Sequence, residues 1–184
     1  GHERVGPAPG LTAVHCEGNF GNSNRTIYDS LNLPSVWGAD MLVGSSVRRV
    51  AIIGGIRIPF ARSMGVYASA SNQQMLSATL RALVQRFDLK GERLGDVGAG
   101  AVLKHSRDFN LVRESVLDSG LDPSTPAFDL ERACGTSLDT AITIGLKIAC
   151  GQIDSGIAGG VDTGSDVPIV YPDAYCLLLF RGAC

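Results

Sequence analysis

Between Arg48 and Asp162 short apolar runs alternate with longer amphipathic stretches, and glycines mark most of the boundaries. Val50–Ile53 is a continuous β-branched run closed by Gly54-Gly55, the pattern of a strand buried on both faces. Asn72 can cap a helix whose stripe is Leu76, Leu80, Leu83, Val84 and Phe87, with Gly91 as its stop signal. Val97–Leu103 is a second apolar run. Asp108 or Asn110 can open a second helix with Leu111, Val112, Ser115, Val116 and Ser119 on one side and Gly120 at its end. Residues 122–126 (Asp-Pro-Ser-Thr-Pro) form a turn, Ala127–Leu130 a short strand, and Gly156–Val161 a fourth strand. The third helix runs onward from Cys134, with Leu138, Ala141, Ile142, Gly145, Ile148 and Ala149 as its stripe and Gly151 at its end.

The order is therefore β-α-β-α-β-α-β. Strands separated by helices of this length pair in parallel through right-handed crossovers. The expected fold class is α/β, a layered αβα domain on a mostly parallel sheet. The alternation fails at both ends. Residues 1–46 hold Gly, Pro, Asn and Ser without a sustained period and read as a poorly ordered extension. Residues 47–167 carry the domain, incomplete as it stands. Residues 168–184 lose the pattern and read as a truncated, non-native tail.

Charge and composition exclude several functions. The net charge is −2, with no basic stripe to hold nucleic acid. No apolar run approaches the ~20 residues of a membrane span, and no charged start leads into an apolar stretch as in a secretory signal. The default compartment is the cytoplasm. The five cysteines, Cys16, Cys134, Cys150, Cys176 and Cys184, have no Cys-x-x-Cys spacing and no histidine at zinc-ligand distance. The bland reading of each is a buried or incidental thiol, and it suffices for four of them.

Cys134 differs by its place. In Glu131-Arg-Ala-Cys134-Gly-Thr-Ser-Leu138 a short strand runs into a helix with the thiol at the junction. Backbone N–H groups at a helix start carry partial positive charge, which favours thiolate over thiol. The same groups can hold an anionic oxygen. Gly135, Thr136 and Ser137 are small and leave room beside the sulfur for an acyl group.

Several further segments fall into an order that resembles the thiolase family, the acetyl-CoA acetyltransferase and 3-ketoacyl-CoA thiolase group, over about residues 48–166. Residues 50–60 (Val-Ala-Ile-Ile-Gly-Gly-Ile-Arg-Ile-Pro-Phe) look like its opening strand and Arg-x-Pro turn. Asn110-Leu-Val-Arg113 looks like the start of its second helix, Cys134-Gly-Thr-Ser-Leu138 like its nucleophile motif, and Ile148-x-x-Gly151 with Ala158-Gly-Gly-Val-Asp162 like the helix end and strand that follow. The resemblance implies an acyltransferase of fatty acid metabolism, such as β-oxidation. Cys134 is the implied acyl-thioester nucleophile in cleavage of 3-ketoacyl-CoA or condensation of acetyl-CoA. It implies coenzyme A thioesters as substrates, no permanently bound cofactor or metal, and a homo-oligomer, dimer or tetramer.

The chain also departs from the pattern. Glu131 and Ser137 stand where the family commonly has Asn or Ser and Gly, and Asp162 where it commonly has Glu. A carboxylate at Glu131 opposes a thiolate if aimed at it, so it is expected to point away. The family's Gly-His-Pro motif, its second cysteine in a Gly-rich motif and its Asn-Glu segment occur nowhere in this sequence. The chain is accordingly read as the N-terminal half, without turnover of its own. The alternatives are a non-catalytic thiolase-like interaction or dimerisation module and a ketosynthase-related condensing enzyme. His105 is a candidate general base, with a structural hydrogen bond as the favoured reading. Lys104, Arg107 and Arg113 are candidate phosphate contacts set against ordinary solvated charges. Gly98-Ala-Gly100 and Gly159-Gly160 lack the Gly-x-Gly-x-x-Gly context of a dinucleotide site.

Overall fold

The structure is a computed structural model that describes residues 11–15, 47–173, 175 and 181. Its regular elements are β1 (Leu11–His15), β2 (Ala51–Ile56), α1 (Asn72–Arg86), β3 (Asp96–Ala99), a 3-10 turn at Ser106–Asp108, α2 (Leu111–Leu117), β4 (Ala127–Asp129), α3 (Thr136–Ala149) and β5 (Ser155–Ala158). The strands form one sheet in the order β2-β1-β5-β3-β4. Strand β3 pairs in parallel with both β4 and β5. Strand β1 pairs antiparallel with β2 and with β5, so β2 and β5 point the same way and β1 alone is reversed. The mostly parallel α/β sheet read from the alternation is present.

Side-chain alternation along the strands divides the core in two. On one face Val97, Ala99 and Ile157 join Leu76, Leu80 and Leu83 of α1 and Leu111, Val112 and Val116 of α2 in the larger cluster. On the other face Ala158 meets Ile144 and Ile148 of α3, with Phe128 packed alongside. Helices on both faces give the three αβα layers. Glycines allow close packing on this face: a Cβ on Gly156 would lie 2.8 Å from the Ile144 side chain of α3, and one on Gly98 2.6 Å from the Phe128 ring of β4. Beside this contact Lys147 of α3 pairs with Asp96 and sits 4.7 Å from the centre of the Phe128 ring.

Several elements differ from the sequence reading. Helix α1 is capped by Ser71, not Asn72. Ser71 accepts from the Gln74 amide and Gln74 returns a bond to the Ser71 amide, a capping box. Asn72 is buried and donates to the Leu103 carbonyl at 2.7 Å, so its side chain ties the helix start to the segment after β3 instead of capping it. Strand β2 is longer than Val50–Ile53 and is not buried on both faces. It forms the sheet edge, with Ile52 and Ile53 exposed. The run Val97–Leu103 pairs only as far as Ala99, and the fourth strand ends at Ala158.

Helix α3 buries a different face from the one expected. Thr136, Thr140, Ile144 and Ile148 are buried, four residues apart each time, whereas Leu138, Ile142 and Leu146 are exposed at 67%, 51% and 59%. Both faces are apolar, so periodicity alone cannot choose between them. Gly156 of β5 favours the observed face, because the side chain it lacks leaves room for Ile144.

Within residues 1–46, read as an unstructured extension, Leu11–His15 is a strand, and the rest lies outside the described residues. Residues 168–172, within the segment read as a tail, belong to no helix or strand.

The second helix is shorter than expected. Neither Asp108 nor Asn110 caps it through its side chain. Asp129, at the end of β4, accepts from the amides of Leu111 and Val112 at 3.1 and 2.9 Å, with Lys104 3.8 Å away. A carboxylate on two orphan N–H groups at a helix start is favourable both as a hydrogen-bond acceptor and as a charge. Asp129→Ala leaves those two amides without this acceptor. The expected cost is roughly 2 kcal/mol, read as a lower urea midpoint with an unchanged slope.

Candidate active site

Three strands that point the same way release their C-terminal ends at one end of the sheet. Residues 57–63 leave β2, residues 100–102 leave β3 and residues 160–165 leave β5. Together with Met75, Leu76 and Thr79 of α1 and the segment around Cys134, they enclose a cavity of about 500 Å³. The crevice beyond the carboxyl ends of parallel strands is where α/β folds place ligands.

Cys134 lines this cavity and is exposed. It precedes Gly135, the N-cap of α3, and Thr136, the first helical residue. The thiol therefore sits between strand β4 and a helix start, as the sequence reading expects. Cys150, the other exposed free cysteine among the described residues, lies at the far end of the same helix and outside the cavity. Cys16, Cys176 and Cys184 fall outside the described residues.

The chain reaches Cys134 through a tight elbow. Ala133 has φ +42°, a left-handed value unusual for a residue with a Cβ. The Gly135 amide donates to the Arg132 carbonyl at 2.9 Å, and the Thr136 amide to the Ala133 carbonyl at 3.3 Å. These two N–H groups, which the sequence offers to an anionic oxygen, are thus engaged inside the elbow. The Thr136 hydroxyl accepts from the Arg132 amide and donates to the Ala133 carbonyl, both at 2.9 Å. Below the elbow the Leu130 amide donates to Ala99, and Gly100 allows the two strands to close: a Cβ there would lie 1.8 Å from the Leu130 oxygen. On the other side Thr140, fully buried, places its hydroxyl 2.9 Å from both the Ser137 and Gly159 carbonyls.

Asp162 is a wall brace. Its carboxylate accepts from the amides of Val102, Leu103 and Thr163 at 3.2–3.3 Å, tying the ends of β3 and β5 together. Ser165 accepts from the Met64 amide at 2.8 Å and joins the 57–67 segment to the same loop. Glu131 is exposed and does not line the cavity, as expected from its charge.

The basic residues do not converge on the cavity. Arg113 donates to the carbonyls of Thr125 and Pro123 at 2.7 and 2.6 Å, which makes it a latch on the turn before β4 rather than a phosphate contact. Lys104 lies beside Asp129. His105 Nε2 is 3.2 Å from Asp166, which also pairs with Arg107, and none of the three lines the cavity. The structural reading of His105 therefore fits better than that of a base for Cys134.

The Arg107 guanidinium, hydrogen-bonded to Asp166, holds that carboxyl below its ordinary value of 3.8 against an opposing push from burial. A carboxyl lowered on folding stabilises the fold fully above its unfolded value, and the contribution is lost as pH falls through the lower folded value. Protection of the Gly164 and Ser165 amides, their exchange relative to the free-peptide rate at each pH, is expected to hold steady down to about pH 4 and to fall below it relative to that of Leu80.

The elbow, the Arg132–Asp139 contact at 2.9 Å and the brace at Asp162 were not legible in advance. The one visible signal was a threonine two residues and an aspartate five residues after the cysteine. Among the described residues no group of three His, Cys, Asp or Glu side chains could hold a metal ion, and no helix is long and apolar enough to cross a membrane.

Comparison with known proteins matches this arrangement. The family model for the thiolase N-terminal domain matches residues 50–177. Over 121 residues the chain is 35% identical to a 3-ketoacyl-CoA thiolase of Shewanella halifaxensis, covering 66% of this chain and 28% of that protein. It is also 35% identical to one of Aliivibrio fischeri, covering 66% and 27%. The chain thus spans little more than a quarter of the length of the curated relatives it matches. A crystal structure of the Bacillus anthracis acetyl-CoA acetyltransferase superimposes with a TM-score of 0.60 over 64% of this chain and 30% of that one, at 19% identity, which shows a shared fold. With the matched model covering well over half of its residues, the chain belongs to the thiolase family, through that family's N-terminal domain.

Proposed function

We propose that this domain carries the acyl-accepting half of a thiolase-type acyl transfer on coenzyme A thioesters. The observation that carries the reading is the place of Cys134, exposed at a helix start on the wall of a 500 Å³ cavity.

The cysteine sulfur attacks the 3-keto carbon of a 3-ketoacyl-CoA. The bond between the α and β carbons breaks, its electron pair passes to the α carbon, and that carbon takes up a proton from water, replacing the one the thiol released to solvent, to leave as acetyl-CoA. The shortened acyl group stays on Cys134 as a thioester until a CoA thiol takes it, so one difficult step is divided into two. The condensing direction reverses these events. CoA and its thioesters are substrates, and no resident cofactor enters the scheme. No histidine is brought to Cys134 among the described residues, and the Gly-His-Pro motif does not occur in the sequence. The chain alone therefore accepts an acyl group once and does not turn over.

Incubation with acetoacetyl-CoA followed by peptide mass mapping tests this. An acetyl thioester on Cys134, none on Cys150, and no continuing release of acetyl-CoA is the expected result. An unmodified Cys134 under conditions that acylate a full-length relative removes the reading.

A second reading is favoured by one surface. Leu138, Ile142 and Leu146 on α3, exposed together, suit an interaction module that associates with another chain, in keeping with the homo-oligomer expected from the resemblance. The same mapping separates the two, since a pure interaction module leaves Cys134 no more reactive than Cys150.

A further inference from the structure

Thr136 is the first residue of α3, where a threonine side chain ordinarily faces solvent or helps cap its own helix. Here it does neither. The residue is only 5% exposed, and its hydroxyl turns back past the helix start. It accepts from the Arg132 amide and donates to the Ala133 carbonyl, both at 2.9 Å. Those groups flank Cys134 on its N-terminal side, across the peptide that holds Ala133 at φ +42°. The methyl group lies over Gly100, where an added Cβ would come within 3.2 Å of it.

We propose that Thr136 is a positioning residue, whose hydroxyl clasps the left-handed elbow and so aims the Cys134 thiol into the cavity. A left-handed φ at alanine is strained and persists only where neighbouring bonds over-determine it. The hydroxyl supplies two of those bonds from one atom. Without it, the Arg132 amide loses its acceptor, Ala133 relaxes toward an ordinary φ and the sulfur swings away from the wall. The inference rests on the acyl-transfer reading only in taking Cys134 as the reacting thiol.

The test is the rate of iodoacetamide modification of Cys134 in the full chain at neutral pH, with Cys150 as internal reference. Thr136→Val keeps the shape and removes the hydroxyl, and is expected to lower the Cys134 rate on the order of tenfold while the Cys150 rate stays fixed. Thr136→Ser keeps the hydroxyl and is expected to recover most of the wild-type rate. An unchanged Cys134 rate in a folded Thr136→Val protein overturns the proposal, as does a serine variant no faster than the valine one. Should the valine variant fail to fold, amide exchange in the wild-type chain decides: Arg132, itself exposed, is protected if the hydroxyl holds its N–H and exchanges at the free-peptide rate if not. A wild-type Cys134 no faster than Cys150 would instead count against the acyl-transfer reading.

Discussion

Acyl-adduct formation from acetoacetyl-CoA is expected to vanish in Cys134→Ala, a fall on the order of a thousandfold or more, while Cys150→Ala leaves it intact. Nucleophile removal has effects of this size because no neighbouring group can form the covalent intermediate. The loss should come without loss of fold. Cys134 is exposed and makes no side-chain hydrogen bond described for the elbow, which is held by Arg132, Ala133, Gly135 and Thr136. A surface change of this kind shifts stability by roughly 0.5 kcal/mol or less. Peptide mapping and a urea titration on the same preparation check both halves. A Cys134→Ala protein that still takes up the acyl group places the chemistry elsewhere.

The largest effect on stability is expected at Gly100. An alanine there would bring its Cβ to 1.8 Å from the Leu130 oxygen and 3.2 Å from the Thr136 methyl. The first contact is with backbone, so a rotamer change cannot relieve it. The strand before the elbow must move, and with it the Leu130–Ala99 hydrogen bond that registers it against β3. Overpacking a tight site costs about 1–3 kcal/mol, and a backbone clash this close belongs at or above the top of that range. A domain of this size has only about 5–15 kcal/mol in all. Gly100→Ala is therefore expected to lower the urea midpoint sharply and to slow Cys134 alkylation in whatever fraction folds. Gly91→Ala is the contrast: nothing lies within 4 Å, but its φ is +76°, and its cost is limited to backbone strain of about 1 kcal/mol. Equal melting of the two variants would show that the elbow tolerates displacement.

The features legible in the sequence are those set by local rules. Leu76, Leu80 and Leu83 are periodic on one face only, and all three are buried in α1. Strands β3, β4 and β5 begin within a residue of where the alternation placed them, although β3 and β5 end sooner. Cys134 was visible because a strand, a small-residue turn and a helix follow one another without interruption. What escaped was decided by groups distant in the chain. The α2 cap comes from Asp129, which no pattern near Leu111 can reveal. Strand β1 is five residues long, and its partners lie about 40 and 140 positions away. The buried face of α3 depended on where the sheet opposite it carries a glycine, at Gly156 against Ile144. The elbow amides looked available for an anion until the Arg132 and Ala133 carbonyls took them.

These observations converge on one thiol, held by its neighbours rather than by chance exposure. Cys134 and Cys150 are both exposed and both free, and they differ in whether they stand before a helix or at its end. Competitive iodoacetamide labelling at neutral pH, with and without prior acetoacetyl-CoA, compares them within one molecule. Cys134 is expected to react on the order of tenfold faster and to be shielded by the thioester, with Cys150 indifferent to it. Equal labelling of the two, unaltered by acetoacetyl-CoA, would contradict the assignment of Cys134 as the acyl carrier.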